Sequence, residues 1–127
     1  MKKIVVFLSI IFSCNLLPQN CFAKEIEPMK WKDFKATFYR AYGNSKTKTG
    51  TKPRNGRTLS VDPKIIPLKS TVEIIYPNGK REIRIAEDTG GKIKKNHVDI
   101  FFDAPRKVLL RLGVQKIQIR IISVGES

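Results

Sequence analysis

The chain is poor in cysteine, histidine and acid. Its 127 residues hold two cysteines, one histidine and one tryptophan, with 11 Asp+Glu against 25 Lys+Arg. Both cysteines, Cys14 and Cys21, lie in the leader-like start MKKIVVFLSIIFSCNLLPQNCFA. A protein cleaved after Ala23 has no disulfide, no thiol nucleophile and no cysteine ligand for a metal. With His97 the only imidazole, no structural zinc set can be assembled from the usual residues. Long apolar runs are missing too. The stretch from Ile4 to Phe12 falls well short of the roughly 18–20 residues of a membrane span, and Asn15, Pro18, Gln19 and Asn20 prevent its extension. Lys2 and Lys3 ahead of that stretch, with Cys21-Phe22-Ala23 at the minus-three to minus-one positions, predict a secretory signal peptide over 1–23. Ile11-Phe12-Ser13-Cys14 loosely resembles a lipobox, and lipid anchoring at Cys14 is the alternative.

Cleavage leaves about 104 residues, enough for one small domain with a real core and too few for two. The formal charge of +14 falls to +12 once Lys2 and Lys3 are gone. Such a balance favours polyanionic partners through long-range attraction and counterion release. For an exported protein these are anionic wall or envelope polymers rather than nucleic acid. A generic basic surface that keeps the protein soluble explains the charge equally well.

Residues 24–34 read as an N-terminal tether, with Trp31 starting a core or stacking on a sugar. FKATFYRAY, from Phe34 to Tyr42, places Phe34, Ala36 and Phe38 on one face and predicts a strand. GNSKTKTGTKPRNG, from Gly43 to Gly56, is a long basic loop without periodicity. Arg57 to Val61 comes next as a short strand ended by Asp62-Pro63. Thr71–Tyr76 and Lys80–Ala86 flank Pro77-Asn78-Gly79, a hairpin signal. Val98–Phe102 is a compact apolar strand around Asp99. Asp103 is placed to cap a helix with Pro105 in its first turn and Gly113 past its end. Val108, Leu109 and Leu112 give that helix a core-like face. Val114–Val124 alternates Ile117, Ile119 and Ile121 with Gln118 and Arg120, a final strand. About six strands and one short helix predict a mainly β domain, a closed or nearly closed barrel over 35–127.

Three aspartates have patterned surroundings: Asp62 in LSVDPKIIPL, Asp88 in AEDTGGKIK, and Asp99 in HVDIFF. Asp62 and Asp88 each have a plain alternative as turn residues. Asp99 is the more informative, because it alternates with apolar Val98 and Ile100. A carboxyl half-buried there is held protonated by desolvation, the state a general acid needs. His97 shares its strand face at i, i+2 and reads as a solvated histidine, with substrate contact as the sharper alternative. Asp-Thr-Gly is also the aspartic protease triplet. Here Glu87 precedes it and Gly91 and lysines come after it, and lysines would drive a carboxylate dyad to full ionisation.

LSVDPKIIPLKSTVEI, AEDTGGKIKKNHVDIFF and the closing LGVQKIQIRII, in that order, resemble the three-aspartate (3D) domain family. It includes membrane-bound lytic transglycosylase A and small exported muralytic proteins of the stationary-phase survival group. The resemblance runs from about Lys35 to Ser123. It implies a six-stranded double-psi β-barrel and a peptidoglycan lytic transglycosylase. Such an enzyme cleaves the β-1,4 bond between MurNAc and GlcNAc with a 1,6-anhydro product, and needs no cofactor or metal. The resemblance makes peptidoglycan glycan strands the partner, with a non-catalytic glycan- or wall-binding barrel as the alternative. It places the three aspartates on Asp62, Asp88 and Asp99. Asp99 is implied as principal acid and base, Asp88 as its positioning or charge-stabilising neighbour, and Asp62 as support for the cleft. Thr89, Gly90, Gly91 and Lys92 become substrate-binding candidates, as do Thr37 and Tyr39, for which a plain strand role is the alternative. Two positions depart from the family pattern, with Lys69 and Lys95 standing where glycine is usual.

Overall fold

The computed structural model describes residues 29–126. The expected signal peptide, Cys14 and the first residues of the tether lie outside the described residues. Six strands and one helix succeed one another: β1 (Lys32–Tyr39), β2 (Thr58–Ser60), β3 (Thr71–Ile75), β4 (Arg81–Asp88), β5 (His97–Phe101), α1 (Arg106–Leu112) and β6 (Gln115–Ser123). The strands close into a barrel in the order β1-β5-β2-β4-β3-β6. Closure satisfies both edges of every strand and leaves no unpaired ladder in water. The pairs β1·β5 and β2·β4 are parallel, and the other four pairings are antiparallel.

The alternation read from the sequence is what fills the barrel. Phe34 and Ala36 of β1, Val72 and Ile74 of β3, and Val98 and Ile100 of β5 are buried in one cluster. Ile117, Ile119 and Ile121 of β6 join them there. Because successive side chains point to opposite faces, Thr37, Tyr39, His97 and Asp99 fall on the outer wall. β1 starts at Lys32, inside the stretch expected to be tether. It ends at Tyr39, three residues before the expected Tyr42.

Three local expectations are corrected. Asp103 does not cap α1: Pro105 occupies the N-cap and no side chain bonds there. The Asp103 backbone N–H instead donates to Asn55 Oδ1 at 2.7 Å. Val108, Leu109 and Leu112 are only half-buried, and α1 contributes no buried residue, because the strands complete the core without it. Trp31 neither enters the core nor stands free. It is half-buried, with the guanidinium of Arg120 at 4.8 Å and that of Arg81 at 5.8 Å from its ring. Both arginines also hold buried Glu73. The β3–β4 hairpin is as expected, with Gly79 at φ 82° and its N–H donating to Tyr76 O.

Candidate active site

Four strands bring the polar outer wall together. In the β1·β5 register Thr37 lies opposite Asp99, and in β2·β5 Ser60 lies opposite Asp99. On its other side Ser60 pairs with Asp88 of β4. That last pairing depends on a bulge. Thr58 pairs with Ile85 and Leu59 with Ala86, but the next partner of β2 is Asp88, so Glu87 is passed over. Strict alternation after inward Arg84 and Ala86 would turn Asp88 into the core. The extra residue re-aims it to the wall beside Ser60. Glu87 is buried in turn and receives Arg57 Nη2 at 2.8 Å and the Thr58 hydroxyl at 2.9 Å.

Asp99 is half-buried. Its Oδ1 accepts the Thr37 hydroxyl at 2.9 Å. Burial pushes its carboxyl above the ordinary aspartate value, and the nearby Asp88 adds to this; the Thr37 hydrogen bond and His97 pull the other way. Asp88 is held at both oxygens. Oδ1 accepts the backbone N–H groups of Lys48 at 3.0 Å and Thr89 at 2.9 Å, and Oδ2 accepts the Tyr39 hydroxyl at 3.3 Å. Burial drives the Tyr39 phenol well above its usual range, a shift the two aspartates reinforce and the Ser60 side chain opposes. Tyr39 is thereby kept as a neutral hydrogen-bond donor.

The third aspartate does different work. Asp62 is buried, and its Oδ1 and Oδ2 accept the backbone N–H groups of Lys64 at 3.1 Å and Lys95 at 2.9 Å. These bonds, the Lys95 one foremost, hold its carboxyl below the ordinary value. Its backbone carbonyl also accepts from Ile65 and Ile66. Asp62 thus clamps the turn after β2 to the loop before β5, and its ionised state suits no proton donor.

Among the loop residues, Thr89 reaches Asp88 through its backbone N–H, while Gly91 and Lys92 are exposed. A Cβ on Gly90 would stand 2.9 Å from Ile93 Cγ1, so packing against buried Ile93 accounts for that glycine. His97 is not solvated as expected. It is half-buried, with Nε2 at 2.9 Å from Thr37 Oγ1. Ser60 and the backbone N–H of Lys48 are site members that sequence reasoning missed. Ser60 sits in an LSVD run that reads as plain strand, and no side-chain pattern marks a backbone donor 40 residues from its acceptor. A cleft of about 800 Å³ among Phe34, Ile75, Tyr76, Val114 and Ile117 contains none of the three aspartates. Among the described residues no group of His, Cys, Asp or Glu is arranged to hold a metal ion.

Fold and site together define a small closed β-barrel with a half-buried aspartate on its outer wall, its carboxyl raised by burial. The chain belongs to the 3D domain family, which it matches over residues 57–124. It is 40% identical over 82 residues to the SPbeta prophage-derived uncharacterized protein YorM of Bacillus subtilis (strain 168), which is 57% of this chain and 34% of that protein. It is 35% identical over 69 residues to the cell wall-binding protein YocH of the same organism, 54% of this chain and 22% of that one. The chain therefore spans about a third or less of the length of these relatives. Among solved structures it is similar to MltA from E. coli (TM-score 0.53, 23% identity, 67% of this chain and 29% of that one). It is also similar to the lytic transglycosylase LtgG of Burkholderia pseudomallei (TM-score 0.52, 20% identity, 64% and 27%). These likenesses establish the shared fold.

Proposed function

We propose that the protein is an exported peptidoglycan lytic transglycosylase. In this reading it cleaves the β-1,4 bond between MurNAc and GlcNAc and leaves a 1,6-anhydro product. The observation that carries the reading is Asp99, a half-buried carboxyl that desolvation pushes above the ordinary aspartate value and which stands beside a second, firmly oriented aspartate. Asp99 gives its proton to the glycosidic oxygen as the bond from that oxygen to C1 breaks. Positive charge develops at C1 and the ring oxygen, and ionised Asp88 stabilises it. The C6 hydroxyl of the same sugar then attacks C1 and loses its proton to the Asp99 carboxylate. The acid is restored and no water is consumed. One principal acid/base suffices, because the internal hydroxyl replaces the water and second carboxylate of an ordinary glycosidase. Thr37 and Tyr39 act through the acids they hold. Lys92 and the loop at Thr89–Gly91 border the path of the strand.

The membership in the 3D family, the shared fold with lytic transglycosylases and the leader-like N-terminus all support this reading. A second reading, a wall-binding barrel without catalysis, is favoured by two observations. The acids stand on the outer wall rather than in the large cleft, and more than two thirds of MltA lies outside the match. Incubating the purified protein with peptidoglycan and analysing soluble products by mass spectrometry separates the two. Anhydro-muropeptides from wild type, reduced roughly 10²–10⁴-fold in Asp99→Asn, are expected. Binding without release in both forms selects the wall-binding module, and reducing-end products mean hydrolysis and exclude the transglycosylase mechanism.

A further inference from the structure

We propose that His97 is a positioning residue for Asp99, acting through the Thr37 hydroxyl to fix which carboxyl oxygen carries the transferable proton. The inference rests on the proposed role of Asp99. Thr37 Oγ1 lies 2.9 Å from Asp99 Oδ1 and 2.9 Å from His97 Nε2. A hydroxyl has one proton to give. When Thr37 gives it to Asp99 Oδ1, His97 Nε2 must itself carry a proton and donate to Oγ1. The chain then runs from His97 through Thr37 to Asp99, and Oδ1 is occupied as an acceptor.

Asp99 Oδ2 receives no hydrogen bond from the described residues, and no buried polar side-chain atom among them lacks a partner, so Oδ2 reaches solvent. With Oδ1 filled by Thr37, the carboxyl proton resides on Oδ2, the oxygen a glycosidic bond can approach. The reverse direction, with Asp99 donating from Oδ1 to Thr37 and Thr37 to His97, hides that proton from substrate. It requires Nε2 bare. The tautomer of His97 therefore selects between a presented and a withheld proton. A charged imidazole at the head of the chain also favours the carboxylate, so removing it lets Asp99 stay protonated to higher pH.

The other groups facing this pair are few. Tyr39 of β1 and Asp88 of β4 face Asp99, Ser60 of β2 is neutral, and Lys35 of β1 lies opposite His97 in register. None of them bridges to Thr37. The amide of His97→Gln can place an N–H donor toward Oγ1 but cannot ionise, which separates the two roles.

The test uses the purified full protein with two variants and two readouts. In peptidoglycan turnover, His97→Ala is expected to lose roughly tenfold in kcat with KM unchanged. His97→Gln recovers most of that loss, with the high-pH limb of the rate profile moved upward. Independently of turnover, the Asp99 side-chain carboxyl carbon followed by NMR should titrate at higher pH in His97→Gln than in wild type. Thr37→Val should weaken the response of that carbon to the charge at His97, leaving only the part that acts through space. An Asp99 titration identical in wild type and His97→Gln overturns the inference, as does equal loss in the alanine and glutamine variants. A wild type that couples the two titrations yet releases no anhydro product overturns the enzymatic reading alone.

Discussion

Lys69 and Lys95 hold left-handed backbone, at φ 68° and φ 59°. These are the two positions where the family resemblance led us to expect glycine. An L-residue there brings Cβ against its own backbone at roughly 1 kcal/mol or more. The conformation persists because the neighbours need it. Lys69 N–H donates to Ala86 O at 2.7 Å, and Lys95 N–H donates to buried Asp62. Lys95→Gly is therefore expected to stabilise the fold by roughly 0.5–1 kcal/mol after the entropy glycine brings to the unfolded chain. Lys69→Gly should add a similar amount, the two summing as separate sites; thermal melts check both. The sequence marked both positions only as departures from the glycine of the family pattern. That lysine takes the strained conformation there is visible only in the backbone. The aspartates differ at the same scale. The folded-state carboxyl of Asp99 is raised, so its contribution to stability is present below the unfolded-state value and is lost as pH rises through the folded one. Asp99→Asn should thus melt higher than wild type at about pH 7 and no higher at about pH 3. Asp62 has the opposite sign. Its carboxyl is lowered, so what it contributes is present above the unfolded-state value and is lost as pH falls through the folded one. Asp62→Asn should melt lower than wild type at about pH 7, and the gap should close in acid. Melting curves of both variants across pH would refute the division of labour if the two moved together.

At the level of elements, period two carried the strands and failed at one place that matters. Alternation along β1, β5 and β6 identified the core faces correctly, since a closed barrel buries one side of every strand and leaves the other outside. The same rule applied to β4 turns Asp88 inward, and only the bulge at Glu87 brings it beside Ser60. Nothing in AEDTGG announces that bulge. It arises because Glu87 finds Arg57 and Thr58 on a neighbouring loop and strand, a contact about 30 residues distant. The helix was misread for a related reason. Val108, Leu109 and Leu112 have the spacing of a core face, but spacing reports amphipathicity and says nothing of whether the core is already full. α1 therefore lies against the barrel with its apolar side half-covered. Leu109→Ala should cost about 1 kcal/mol, against roughly 3–4 kcal/mol for Ile119→Ala in the packed interior. Chemical denaturation of the two variants measures the difference, and equal costs would mean that α1 belongs to the core after all.

At the scale of the whole molecule, the proposed function sets a polar wall and a strongly basic surface to work on the same partner. In that reading a formal charge of +14, or +12 without Lys2 and Lys3, draws the protein to anionic polymers over distances longer than any contact in the site, whereas the acids would act only on a glycan within hydrogen-bonding reach. The two contributions respond differently to salt. Screening shortens from about 10 Å at 0.1 M to about 3 Å at 1 M, which removes long-range attraction and leaves short hydrogen bonds largely intact. Binding to walls that retain their anionic polymers should therefore fall steeply between about 0.05 M and about 0.5 M salt. Binding to peptidoglycan stripped of those polymers should be weaker at the start and nearly flat over the same range. Asp99→Asn should track wild type in both series, because a neutral isostere changes the reacting group and leaves the basic surface in place. Sedimentation with insoluble walls reads all four curves. A steep salt dependence on stripped glycan would assign recognition of the glycan itself to the lysines. The outer wall around Asp99 and Asp88 would then act on a strand that charge alone had delivered.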